Sequence, residues 1–400
     1  PKPQTPTPLP RQPPPQQLPM KKRGEGPRDS KQLDRPVSKL RRGMFEATRF
    51  AQSSSQENTS FDRGAYLEAS AFHQLQSFAT ELFTVKPLNT RKLPAEVLCA
   101  RLSPTDATML WGLSDGTVSV GSTLQPKRSE TLAVAQEVPV TALEWLNKQR
   151  FFAATSKGDL LLYALAGERE GINQVSRRSF GEEQVLTMRH SEEQGRLLLA
   201  GTGRAISVVN STTLQVESVY HSGNSFEAGH TNRIFCLRFT ARDSPVFVSG
   251  GWDGVVYVWD LRQPAPAGSL FGPTLSGESL DVKDNVLLAG SYREKDNLEL
   301  FDLRTNAKLV DVPFRSHRGS AVNYISTCQF SRDADGPELI VAGSCMGDQL
   351  TVFRKNIVYQ PEFGVVNVGK GVYVCGLGNT RNILYCGTRE GDVFLHTLES

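Results

Sequence analysis

An all-β ring of seven repeated units is the architecture this sequence predicts, and three observations carry the prediction. From about residue 81 the chain is a succession of short apolar runs divided by glycine-containing turns, with no further helical stripe of any length. The runs come in adjacent pairs, and the pairs recur at a nearly constant interval. The last pair ends with the chain, so its unit needs an outer strand from elsewhere.

The pairs are Met109–Leu113 with Thr117–Val120, Phe151–Ala154 with Leu160–Tyr163, and Leu197–Ala200 with Ile206–Val209. They continue as Val246–Val248 with Val255–Trp259, Val286–Ala289 with Leu298–Phe301, Leu339–Ala342 with Leu350–Phe353, and Ile383–Cys386 with Val393–Leu395. The second members begin at 117, 160, 206, 255, 298, 350 and 393, in steps of 43, 46, 49, 43, 52 and 43. Seven units of about 45 residues fit a β-propeller with four strands per blade. A solenoid would bring helices or shorter periods, and an immunoglobulin-like sandwich would not repeat seven times.

The elements follow in order. Residues 1–60 form an arm and linker: 11 of the 23 prolines lie in residues 1–40, a composition that buries no core unless a partner orders it. Pro1 to Pro19 lacks the apolar centre of a signal peptide, and a start without Met raises the expectation of a processed or partial chain. Arg41, Arg42 and Arg49 mix with Met44, Phe45 and Phe50 in what reads as a docking segment, and Gln52 to Gln56 reads as linker. Residues 61–83 are predicted to hold one amphipathic helix, with Phe72, Leu75, Phe78 and Leu82 at spacings of three and four. The propeller is assigned residues 81–400. The run Glu81 to Pro87 reads as a strand and is expected to complete the seventh blade, hiding an edge that would otherwise invite aggregation.

Charge is unevenly spread. Residues 1–50 carry +8, while residues 51–400 carry −5. The arm therefore suits an acidic partner surface. Candidates are the microtubule lattice (tubulin), a ribonucleoprotein and chromatin, with a cytoskeletal or ciliary assembly preferred. Lys21, Lys22 and Arg23 resemble a nuclear signal or nucleic-acid contact, but lack the interleaved aromatics of base stacking. Nucleic acid is not the favoured partner. Pro3, Pro6, Pro10 and Pro13 give two PxxP spacings without an orienting arginine. No apolar run approaches the 18 residues of a membrane span.

The six cysteines include no CxxC and lie mostly in apolar runs, so buried free thiols and a reducing compartment, cytoplasm or nucleus, are expected. The six histidines show no ligand spacing. Gly364 to Gly371 nearly spells a phosphate-binding loop but has Gly371 in place of the hydroxyl residue and precedes a strand. The expectation is a non-enzyme without cofactor or metal.

The stretch Gly250 to Arg262 carries Trp-Asp twice. Gly250, Gly251, Asp253 and Gly254 suit a tight turn, and Val255 to Trp259 is a strand-forming run. With Gly229-His230 29 residues ahead of Trp259, the segment resembles the WD40 repeat family. The resemblance implies a hydrogen-bonded network of His230, Ser249, Asp253 and Trp259, and leaves Trp252 outside the motif, on a rim. Only this unit is complete. Phe301 ends a near copy, while Gly121, Tyr163, Phe353 and His396 fill the Trp position elsewhere. The resemblance further implies a scaffold that presents its rims to other proteins. Asp253, Trp259, Asp260 and Arg262 also resemble the WDxR box of substrate receptors that dock on the adaptor of cullin-RING ubiquitin ligases.

Overall fold

The computed structural model describes residues 84–399 apart from 126–128, 167–170, 182, 222–227, 315–323, 333–338, 348, 355–363, 369 and 380–382. The arm, the linker and the predicted helix lie outside the described residues.

Seven antiparallel sheets of four strands account for the described chain. Blade 1 is Val97–Leu102, Thr108–Leu113, Thr117–Ser122 and Ser129–Ala133, and blade 2 is Val140–Trp145, Arg150–Thr155, Asp159–Leu165 and Ile172–Ser179. Blade 3 is Val185–Ser191, Arg196–Gly201, Ile206–Asn210 and Val216–Tyr220, and blade 4 is Ile234–Phe239, Val246–Gly251, Val255–Asp260 and Gly268–Phe271. Blade 5 is Leu280–Lys283, Val286–Gly290, Leu298–Asp302 and Ala307–Asp311, and blade 6 is Ile325–Phe330, Leu339–Ser344, Gln349–Arg354 and Gly364–Asn367. Blade 7 takes Val372–Leu377, Ile383–Thr388 and Asp392–Glu399 from the end of the chain, and Thr84–Lys92 as its outermost strand. The chain is thus an all-β, seven-bladed propeller. The pairs read from sequence are the second and third strands of each blade.

Closure comes from the run expected to supply it, though the strand reaches five residues beyond Pro87. Thr84 pairs with Glu399 and Lys92 with Asp392, with a bulge between Pro87 and Asn89. The bulge falls beside a proline, which has no N–H to give the ladder.

Apolar packing lies between blades. Seven clusters each join one blade to its neighbour. One sets Val97, Met109 and Trp111 of blade 1 against Val374, Ile383, Tyr385 and Leu395 of blade 7, which closes the ring. Close approach selects glycine where a second strand meets the next blade's first strand. A Cβ on Gly290 would sit 2.3 Å from Ile325 Cγ2, and one on Gly387 2.6 Å from Val97 Cγ1.

Each blade has an upper face, carrying the turns between second and third strands and the start of each first strand. The lower face carries the turns between first and second strands. Six of the seven first strands have a bulge at their second residue, Phe235 and Tyr373 among them. Bulges re-aim side chains, here at the upper rim.

Candidate functional site

The four residues of the implied network meet in blade 4. Asp253 forms an Asx turn with Gly254, whose φ of +73° favours glycine. The turn points the carboxylate back at the loop before the first strand. His230 Nδ1 lies 2.8 Å from Asp253 Oδ2, and His230 Nε2 lies 2.7 Å from Ser249 Oγ. Trp259 Nε1 donates to the same Ser249 Oγ at 2.7 Å, and the Thr231 N–H donates to Asp253 Oδ2 at 3.0 Å. One proton arrangement satisfies all four. The indole N–H donates to the serine oxygen, the serine O–H donates to Nε2, and Nδ1–H donates to the carboxylate. Burial alone would raise the Asp253 pKa, but the hydrogen bond from His230 overrides it and holds the carboxyl below its usual range.

Ser249, His230 and Asp253 have the contacts of a Ser-His-Asp triad, yet the arrangement is closed to chemistry. Ser249 is fully buried, and its oxygen is already engaged by the Trp259 indole N–H as well as by His230. The network ties together the loop before the first strand, the second strand and the third. Asp253→Ala should lower stability by about 1–3 kcal/mol, read as a lower melting temperature. The gap to wild type should narrow as pH falls through the carboxylate range. A depressed carboxyl contributes its stability above its unfolded pKa and loses it on protonation.

Above the network the upper face carries a row of aromatic rings. Trp252, the residue left outside the motif, is 42% exposed. Its ring lies 6.3 Å from Phe235 and 5.3 Å from Tyr292, and Tyr292 stacks on Tyr324 at 4.3 Å. Met346, 61% exposed, follows Cys345, whose N–H donates to the Tyr324 carbonyl at 3.0 Å. The row crosses blades 4, 5 and 6. The other three tryptophans are buried.

The lower face opens on a cavity of about 600 Å³ along the ring axis. The fifth residue of the first strand points into it from successive blades: Arg101, Glu144, Arg189 and Arg238. From the start of blade 5, Glu278 reaches into the same space. Arg189 binds Glu144 at 2.9 Å and Glu278 at 3.0 Å, while Arg101 binds Glu144 at 3.4 Å and also Glu278. Arg238 stands 4.0 Å from Glu278 and 3.4 Å from Asp281, and Arg332 also binds Asp281. Desolvation pushes the Glu144 carboxyl up to about 7, with Arg101 pulling it down only in part. The lattice links blades 1 to 6. It was not found from sequence, although its signal was present: a charge inside an apolar strand, recurring at the repeat interval.

Asp260 and Arg262 lie at the lower end of blade 4's third strand. The Arg262 guanidinium is 75% exposed and is held by Asp260, Nε to Oδ1 at 2.9 Å. Arg304 repeats the arrangement on Asp302 in blade 5, at 3.1 Å. Exposed pairs such as these contribute little stability, so their fixed orientation is their chief property. The segment resembling a phosphate loop runs from the outer strand of blade 6 to the first strand of blade 7, with Lys370 held by Asp392 at 3.1 Å. The cysteines are all free, and burial pushes the thiols up, Cys375 to about 12. Lys21, Lys22, Arg23, Arg41, Arg42, Phe45 and Arg49 lie outside the described residues.

A family model described as WD domain, G-beta repeat matches residues 222–260, the segment that holds the network. Among curated proteins, the chain is 26% identical over 146 residues to the mRNA export factor GLE2 of Chaetomium thermophilum, covering 36% of this chain and 38% of that protein. It is 25% identical over 188 residues to a guanine nucleotide-binding protein subunit beta of Solanum tuberosum, covering 45% and 47%. It is 28% identical over 180 residues to the spindle assembly checkpoint protein bub3 of Schizosaccharomyces pombe, covering 45% and 49%. The matched stretch spans less than half the length of each.

Proposed function

The chain belongs to the WD-repeat β-propellers, and we propose that it works as a non-enzymatic scaffold that binds other proteins. Propellers of this family generally serve so. The observation that carries the reading is the aromatic row on the upper face. Trp252 is a large ring left partly in water beside three more, while every other tryptophan is packed away. Exposed aromatic surface of this kind characterises protein interfaces.

The finer assignments belong to the same proposal. The +8 arm grips an acidic surface, for which the microtubule lattice, in a cytoplasmic or ciliary setting, is the first candidate. A second reading, docking on a ubiquitin-ligase adaptor, is favoured by the paired Asp260–Arg262 and Asp302–Arg304 clamps on adjacent blades.

One purification from native lysate separates these. Four forms would be compared: intact, Trp252→Ala, lacking residues 1–50, and Arg262→Ala. Trp252→Ala should lose the main partners, the truncated form should lose those whose binding weakens steeply with salt (screening length ~8 Å at physiological ionic strength), and Arg262→Ala should behave as intact. An unchanged partner set in Trp252→Ala would refute the upper-face reading. Loss of a cullin adaptor in Arg262→Ala alone would put the ligase reading first.

A further inference from the structure

We propose that the cavity on the ring axis is a binding site for a small phosphate-type dianion, held by the guanidinium groups of Arg101, Arg189 and Arg238. The site opens on the lower face, apart from the aromatic row. Three observations converge on it.

The first is how the cations are built in. Each of the three is the fifth residue of a first strand, in blades 1, 3 and 4. Each donates one Nη1–H to the carbonyl of the residue before it: Ala100 at 2.7 Å, Met188 at 3.0 Å and Leu237 at 3.3 Å. That bond fixes the guanidinium, while its other N–H groups face a space of about 600 Å³. Donors fixed in advance lose little entropy on binding. They come from three bearings around the ring. A tetrahedral oxyanion can accept from all three, whereas a planar carboxylate is saturated by one coplanar fork.

The second is an excess of positive charge inside. Four guanidiniums, the fourth from Arg332, face three carboxylates, those of Glu144, Glu278 and Asp281. Arg238 is the cation left over. It stands 3.4 Å from Asp281 and 4.0 Å from Glu278, but Asp281 is hydrogen-bonded by Arg332, and Glu278 by Arg101 and Arg189. Glu192 and the Glu193–Arg242 pair lie exposed at the mouth, where solvent screens them. Buried cations without a counter-charge are costly, and an oxyanion supplies one.

The third is Glu144. Burial pushes its carboxyl up to about 7, so close to neutral pH it is protonated about half the time. Once neutral it no longer offsets Arg101 and Arg189, and the interior excess rises from one charge to two, which a dianion cancels. The anion therefore enters together with a proton on Glu144. Arg101 and Arg189 face Glu144 from the neighbouring first strands, and Glu278 faces it from blade 5. Tyr385, Cys375 and His190 are the other titratable groups lining the interior.

The test titrates the full-length protein calorimetrically with sulfate, a tetrahedral dianion across the pH range used, and with malonate and chloride. Sulfate should bind saturably, malonate more weakly and chloride not at all. A carboxyl with a pKa of about 7 is ~90% protonated near pH ~6 and ~10% near pH ~8, so sulfate affinity should fall about tenfold between them. Glu144→Gln should bind sulfate at least as tightly as wild type near pH ~6 and lose that pH dependence. Arg238→Gln should weaken binding about tenfold or more, and Arg238→Lys, which keeps the charge but not the fork, should weaken it less. Lys157→Gln, exposed on an upper turn of blade 2, should bind as wild type. Melting curves would verify that the variants are folded. Absence of saturable sulfate binding, or binding unaffected by Arg238→Gln and so located elsewhere, such as on the basic arm, would overturn the proposal. A pH dependence that survives Glu144→Gln would refute the coupled proton, and tighter binding of malonate than of sulfate would refute the phosphate-type assignment.

Discussion

Removal of Thr84–Lys92 should make the protein aggregate or unfold far below the wild-type melting temperature. The strand pairs with Asp392–Glu399 along its whole length. Without it, blade 7's third strand becomes an open edge with unpaired N–H and C=O groups. Such an edge templates pairing with other chains. The loss also reaches the ring seam. Leu93, just past the strand, packs in the cluster that joins blade 7 to blade 1 and is oriented by its N–H donating to the Gly391 carbonyl at 2.8 Å. A domain stable by about 5–15 kcal/mol in total has little margin for losing a strand and a seam together. Size-exclusion chromatography and a thermal melt read the outcome. A deleted form that stays monomeric and melts normally would show that closure does not depend on this strand.

Glu278→Ala should be the most damaging single substitution along the axis, at about 3 kcal/mol or more. Its carboxylate is shared by Arg101 and Arg189, with Arg238 at 4.0 Å, so truncation leaves three arginines from three blades facing one another in a confined space. The remaining carboxylates, Glu144 and Asp281, are each already engaged by two arginines. The like charges then repel one another with only the water that the cavity admits to screen them. Glu278→Gln keeps the shape and an acceptor oxygen but not the charge, and should fall between alanine and wild type. Chemical denaturation of the three proteins gives the order. Equal stability of wild type and Glu278→Ala would mean that the arginines find water or other acceptors and that the lattice does not hold the ring.

Legibility differed by element. The second strands announced themselves because they are buried on both faces and read as unbroken apolar runs: Leu197–Ala200 and Phe151–Ala154 are buried throughout. The third strands, partly exposed, were legible from their apolar residues and their constant distance from the second. The fourth strands were not. Ser129–Ala133 and Val216–Tyr220 are exposed at most of their positions, and their sequences lack the apolar density that marks a strand. Closure was inferred from an unpaired edge together with the strand-like run Glu81 to Pro87, which left its end five residues short. Asn89 to Lys92 is polar, and polar residues on an outer strand give no signal.

The sites divide in the same way. His230, Ser249, Asp253 and Trp259 were nameable through the resemblance to a WD40 repeat, whose pattern works because a single blade sets their separations: 19 residues span one loop-and-strand excursion from His230 to Ser249, and the Asx turn lies between Ser249 and Trp259. The axial lattice and the aromatic row were not. Arg101 and Glu278 are 177 residues apart, and they meet only because seven blades of matched width bend the chain into a closed circle. Trp252, already placed on a rim from sequence, belongs to one blade and Tyr292 and Tyr324 to two others, and nothing in their own stretches joins them. By itself the sequence determined the repeat and the number of blades, because those depend on local spacing and burial, and its resemblance to a WD40 repeat named the network within blade 4. Only the tertiary structure decided which charges face each other across the axis and which rings share a face. Closure of the ring sets those distances, and nothing in the order of residues along the chain does.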